Sequence, residues 1–106
     1  MPDETHARSL LACLGTAMVA TGQPVTEVED ELAEVGAALG YPDVQIAAGP
    51  TGVTLALASG QPATFQAVSG SLRLDQAAQV REVRHLLLLG RLGPVQAQDR
   101  LRALRH

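Results

Sequence analysis

Few residues in this chain are of types and spacings that do chemistry, and those few suit binding better than catalysis. Pro50-Thr51-Gly52 falls between two alternating apolar stretches. A threonine held there presents a hydroxyl beside backbone N–H groups, an arrangement that receives a small carboxylate. The same tripeptide also serves as plain turn chemistry, which is the simpler reading. Arg81 and Arg84 stand three apart in a helical pattern. Their guanidinium forks would clamp a carboxylate or pair with an acidic helix, and pairing is favoured. The acids in question, Glu27, Asp30, Glu31 and Glu34, read most simply as a solvated helix face.

No catalytic or metal-binding set can be assembled from spacing. His6, His85 and His106 are scattered, and Cys13 is the only cysteine. A zinc site and an internal disulfide are therefore not read. Neither a Gly-x-Ser-x-Gly elbow nor a phosphate loop occurs. Cys13 reads as a small buried helix residue, and His85 as a partly buried structural histidine. No cofactor is expected.

Composition narrows the class. The 106 residues make one domain, large enough to bury a core without staples. Tyr41 and Phe65 are the only aromatic residues, so the core must come from Leu, Val, Ile and Ala. There is no aromatic platform on which single-stranded bases would stack. Residues 1–43 carry eight acids and one arginine, residues 44–72 no charge at all, and residues 73–106 seven arginines and three acids. The acidic half would repel phosphate, which argues against a nucleic-acid partner. The opposed ends instead favour attraction within the fold or between copies. No aliphatic run approaches the roughly 20 residues of a membrane helix, and the acidic start does not resemble an export signal.

These side chains must be positioned by elements that the patterning predicts. Leu10, Leu11, Leu14 and Met18 place an amphipathic helix over about residues 5–21, capped by Asp3 or Thr5 and stopped by Gly22. Val28, Leu32, Val35 and Leu39 mark a second helix over 26–39. In it, Thr26 and Glu29 fit a capping box, with Glu29 reaching back to the first turn, and Gly40 supplies the stop. Periodicity then changes to two. Strands are expected over 44–48, 53–58 and 63–68, joined by two tight turns into an antiparallel meander. Val80, Val83 and Leu87, extended by Leu74 and Ala77, give a third helix over 72–89, its first turn aided by Ser71 or Asp75. Pro94 starts a fourth, over 94–104. The expected fold is α+β: two helices, a three-stranded meander, and two C-terminal helices packed on the sheet.

Taken together, the stretch Gly22 to Leu39 with Val28-Glu29 and Gly40-Tyr41, the run Pro50-Thr51-Gly52-Val53-Thr54-Leu55, and the two helical stretches at 72–89 and 90–104 resemble the N-terminal domain of the threonine/serine exporter family. The likeness spans about residues 8–104 and rests on order and spacing. Gly22, Glu29, Gly40, Thr51, Gly52 and Arg81 fall on the family's pattern, with Arg81 a departure where the family often has asparagine. Glu29 joins Thr51, Gly52 and Arg81 as a ligand-binding candidate through this resemblance. It further implies a cytoplasmic domain at the inner membrane, a membrane-spanning transporter segment in the same or a separate chain, threonine or serine as ligand, and a suspected hydrolase-like activity. The expected role is sensing, gating or assembly. Two alternatives stand beside it. One is a small hydrolase for an amino-acid derivative or peptide, requiring Thr51, Cys13 and His85 to converge. The other is a homo-oligomerisation module using the opposed charges.

Overall fold

A computed structural model describes residues 3–104 of the chain; His106 lies outside them. The order is α1 (Glu4–Ala20), α2 (Val25–Ala38), β1 (Gln45–Gly49), β2 (Gly52–Ala56), β3 (Thr64–Ala67), α3 (Leu74–Leu88) and α4 (Pro94–Ala103). The α+β class and the order of elements are as the patterning predicts.

Helix α1 departs from expectation in how much of it is covered. Leu10, Leu11, Ala12 and every residue from Leu14 to Met18 are buried, so beyond its exposed first turn this helix is covered round most of its circumference, with Ser9 and Cys13 half-buried along one stripe. Small residues make that possible. A side chain at Gly15 would run into Leu32 of α2 and Val53 of β2. Thr16 is fully buried, and its hydroxyl donates back to the carbonyls of Ala12 and Cys13 at 3.0 and 3.1 Å. Asp3 caps the start, accepting the His6 backbone N–H at 2.8 Å. That bond is the main cause holding its carboxyl below the ordinary value.

The three strands form an antiparallel sheet in the order β1-β2-β3. Ile46 faces Leu55 and Ala48 faces Val53 across the first ladder, and Thr54 faces Phe65 across the second. Val53 and Leu55 are buried beneath α1, with α2 lying alongside on β1, whereas Phe65 is 62% exposed on the outer face. Its ring lies over Gly52, where any side chain would collide with it.

The helical ends differ from the sequence reading in three places. Helix α2 begins at Val25 behind Pro24 and has no side-chain cap. Pro24 (φ −57°) presets the first turn, which leaves Thr26 inside the helix, and the Glu29 carboxylate has another partner. Helix α3 begins at Leu74 rather than 72, because the Leu72 N–H is drawn to the Ala20 carbonyl at 3.0 Å. Its first turn is fixed by Gln76, whose oxygen accepts the Arg73 N–H at 2.8 Å and whose amide donates to the Leu104 carbonyl at 2.7 Å, and is aided by Asp75, which accepts from Arg73 Nε at 3.1 Å. Leu74, expected on the apolar seam, is 86% exposed.

The C-terminal helices also pack elsewhere than expected. Helices α3 and α4 lie on α1 and on each other, with α3 also against α2, rather than on the sheet. The sheet's inner face is already taken by α1 and α2, and α1 offers a second apolar side to the outer pair.

This core assignment separates two leucines of similar sequence appearance. Leu32→Ala empties a site that is 0% exposed and is expected to cost about 2–5 kcal/mol. Leu74→Ala is expected to stay within about 0.5 kcal/mol of the parent. Urea midpoints of the two variants check this; equal losses would contradict the packing.

Candidate functional site

The four sequence candidates occupy three separate places. Thr51 sits exposed at the tip of the β1–β2 hairpin, where its carbonyl accepts the Val68 N–H at 2.9 Å. Gly52 is buried beneath the Phe65 ring, so its lack of a side chain serves the sheet. Glu29 turns away from its own helix terminus and accepts the Ala48 N–H at 3.0 Å. Ala48 belongs to β1, an edge strand of the sheet. The carboxylate therefore joins α2 to that edge and satisfies a donor that no further strand pairs.

Arg81 is the candidate that opens onto a cavity. The C-terminal end of α1 and the first halves of α2 and α3 surround a cleft of about 320 Å³, whose walls include Thr21, Glu27, Glu31, Ala77, Val80 and Arg81. Two charged rungs cross between α2 and α3. The inner rung is closed: Arg84 Nε lies 3.4 Å from Glu31 Oε1, with both side chains about three-quarters buried. The other Glu31 oxygen accepts the Gln23 side-chain amide. The pairing expected for the arginines of α3 is thus made by Arg84.

One turn nearer the helix starts, Glu27 and Arg81 form a second rung that is open. Both are exposed and both line the cleft. Among the described residues no ion pair joins either of them to anything. Ala77 and Val80, which are buried, give the cleft an apolar floor. Glu27 was legible only as part of a solvated acidic face. The signal that identifies it is relational: Glu27 and Glu31 at i, i+4 on one helix meet Arg81 and Arg84 at i, i+3 on another.

The residues required by a hydrolase are not brought together. Cys13 is half-buried and lines a smaller cavity of about 220 Å³ with Ser9, Gln66, Gln98 and Arg102. In that cavity the Gln98 amide donates to the Ser9 hydroxyl at 2.6 Å. His85, expected to be partly buried, is exposed on α3, because Val83 and Leu87 take the inward face. Thr51 is at the hairpin tip, on neither cavity. Among the described residues no group of three or more His, Cys, Asp or Glu is placed to hold a metal.

Comparison with known proteins gives one result. Residues 9–106 match the family described as "Putative threonine/serine exporter". No curated protein and no solved structure matches the chain.

The Glu29 contact makes a direct prediction. Glu29→Ala leaves the Ala48 N–H without its acceptor and is expected to cost about 1–3 kcal/mol, with faster hydrogen exchange at Ala48. Glu29→Gln keeps an acceptor and is expected to retain most of both. Unchanged Ala48 exchange in the alanine variant would contradict the assigned contact.

Proposed function

The chain belongs to the threonine/serine exporter family, and on that premise we propose that it is the cytosolic regulatory domain of an exporter-type membrane protein. Its role is to sense and gate. The translocation path belongs to membrane spans contributed by another part of the protein or by a separate chain. Among the described residues, no helix is long and apolar enough to cross a membrane, and a path through a bilayer needs such helices or a closed barrel.

The observation that carries the regulatory reading is the cleft between α2 and α3. It holds charges of both signs over an apolar floor, and three helices meet around it. A ligand that altered the α2–α3 spacing would alter a helix pair rather than a loop. Helix α2 is in turn fastened to the sheet edge through Glu29. A change at the cleft thus has a physical route to the rest of the domain. Threonine and serine, the substrates named in the family's description, are the first ligands to consider for it.

Efflux from cells loaded with threonine tests this reading. With the membrane-spanning partner present, Arg81→Glu is expected to shift the internal threonine level at which export begins, while leaving the maximal rate within about twofold. If deleting the domain and reversing the charge at Arg81 both leave the efflux curve unchanged, the regulatory role is wrong.

A further inference from the structure

The sheet has two edges, and the fold treats them differently. At β1 the Glu29 carboxylate accepts the outward Ala48 N–H at 3.0 Å, and α2 lies alongside. At β3 the edge is left open. Phe65, Gln66 and Ala67 are all exposed, although their side chains alternate between the two faces. The register tells which backbone groups point outward. The Val68 N–H donates to the Thr51 carbonyl at 2.9 Å, so Val68, Gln66 and Thr64 turn their polar groups toward β2. Phe65 and Ala67, alternating with them, turn theirs away from the sheet. Among the described residues no further strand, loop or helix backbone bonds to either. The strand also lacks the usual guards of a free edge: Thr64–Ala67 holds no charge, no proline and no bulge. On the inner side of this edge, β3 meets α1 and α4 around the cavity of about 220 Å³ that Gln66, Gln98 and Arg102 help to line. The one charge in that lining is positive.

We propose that the free edge of β3 receives an extended peptide segment of another protein as a fourth, antiparallel strand, with an acidic side chain turned into the cavity beside Arg102. Two residues of the peptide exchange main-chain hydrogen bonds, one with Phe65 and one with Ala67. Their side chains lie on the outer face next to the Phe65 ring, which favours apolar types. The residue between them stands opposite Gln66 and points inward over the cavity. There a carboxylate meets the Arg102 guanidinium. The preferred sequence is therefore apolar, acidic, apolar. A basic residue at the centre would face Arg102 across a lining that holds no acid. A second copy of this chain fits less well. Pairing β3 with β3 in this register sets Gln66 against Gln66 and brings two Arg102 side chains together without a counter-ion. The carboxylate already seated on β1 confines the addition to one edge. The site is separate from the α2–α3 cleft, with which it shares no lining residue.

The probe is the peptide Ser-Thr-Val-Glu-Val-Thr-Ser, blocked at both ends, and the readout is amide hydrogen exchange of the 106-residue chain followed by NMR. Without the probe, Phe65 and Ala67 are expected to exchange fast, and Gln66 and Val68 slowly. With it, Phe65 and Ala67 become protected about tenfold or more, saturating below about 1 mM. Lysine in place of the probe's glutamate is expected to weaken binding about tenfold or more. Methylating the backbone nitrogens of both valines, which enter the ladder, is expected to abolish binding. Methylating that of the glutamate, which faces solvent, is expected to leave most of it. On the protein, Ala67→Pro removes an outward N–H without touching a bond to β2, and is expected to abolish the protection of Phe65. Arg102→Glu, at an exposed position, is expected to reverse the preference between the glutamate and lysine probes. Circular dichroism reports whether both variants fold; if Ala67→Pro does not, the methylated probes make the same test. No protection of Phe65 and Ala67 at about 1 mM probe, or binding indifferent to methylation at the valines, overturns the proposal. Protection of these amides that rises with protein concentration alone also overturns it, by giving the edge to a second copy. The efflux curve is a separate readout, so the regulatory reading does not fall with this inference.

Discussion

Helix α1 is covered round most of its circumference from Leu10 to Met18, and the positions of the other elements follow from that burial. It touches all six of them. A helix apolar over most of its circumference cannot lie on a surface, so it must be covered by layers on opposite sides. The sheet covers one side, with α2 beside α1 on its inner face, and α3 with α4 covers the other. Gly15 and Ala17 keep the central helix thin where the layers approach. The buried hydroxyl of Thr16 donates within the helix, to the carbonyls of Ala12 and Cys13.

The central helix leaves the charged residues at the periphery, and their placement divides structural from functional use. Residues 44–72, which hold the whole sheet, carry no charge. The sheet therefore depends on a helix for its one edge-capping carboxylate, Glu29. The charges of α2 and α3 meet where both helices pass the end of α1. There the inner rung fixes the helix spacing and the outer rung stays open. Exposed ion pairs contribute little to stability, at about 0–1 kcal/mol, so closing the outer rung within the protein would bring little stability. Left open, it provides two opposite charges at a common cavity.

Much of the fold was legible in the sequence because it depends on local signals. The 3.6-residue spacing of Val28, Leu32 and Val35 and the alternation from Val44 to Leu57 each report burial on one face. Gly40 adopts φ +98°, as its place after α2 implies. What was not legible depends on distant partners. The Thr26–Glu29 spacing fits a capping box locally, yet the Ala48 N–H, 19 residues away, claims Glu29. Leu74 carries the period of α3 but, as the first residue of that helix, stays exposed at the rim of the cleft. Helix α1 is buried more widely than its pattern suggested because alanine and glycine fill its other faces without raising an apolar signal. Arg81 was a binding candidate in the sequence, but Glu27, which shares its cleft, was hidden among equivalent acids until α2 and α3 were set side by side.

The central claim is that Arg81 is an arginine held ready for a ligand while Arg84 is already satisfied. Nitrogen-15 NMR of the arginine side chains, in the presence and absence of L-threonine, distinguishes the two. The account predicts that the Arg81 Nε–Hε resonance shifts and becomes protected from solvent exchange as threonine is added, while that of Arg84 stays where its pairing with Glu31 puts it. An Arg81 resonance that does not respond at saturating threonine, or a response confined to Arg84, would contradict it.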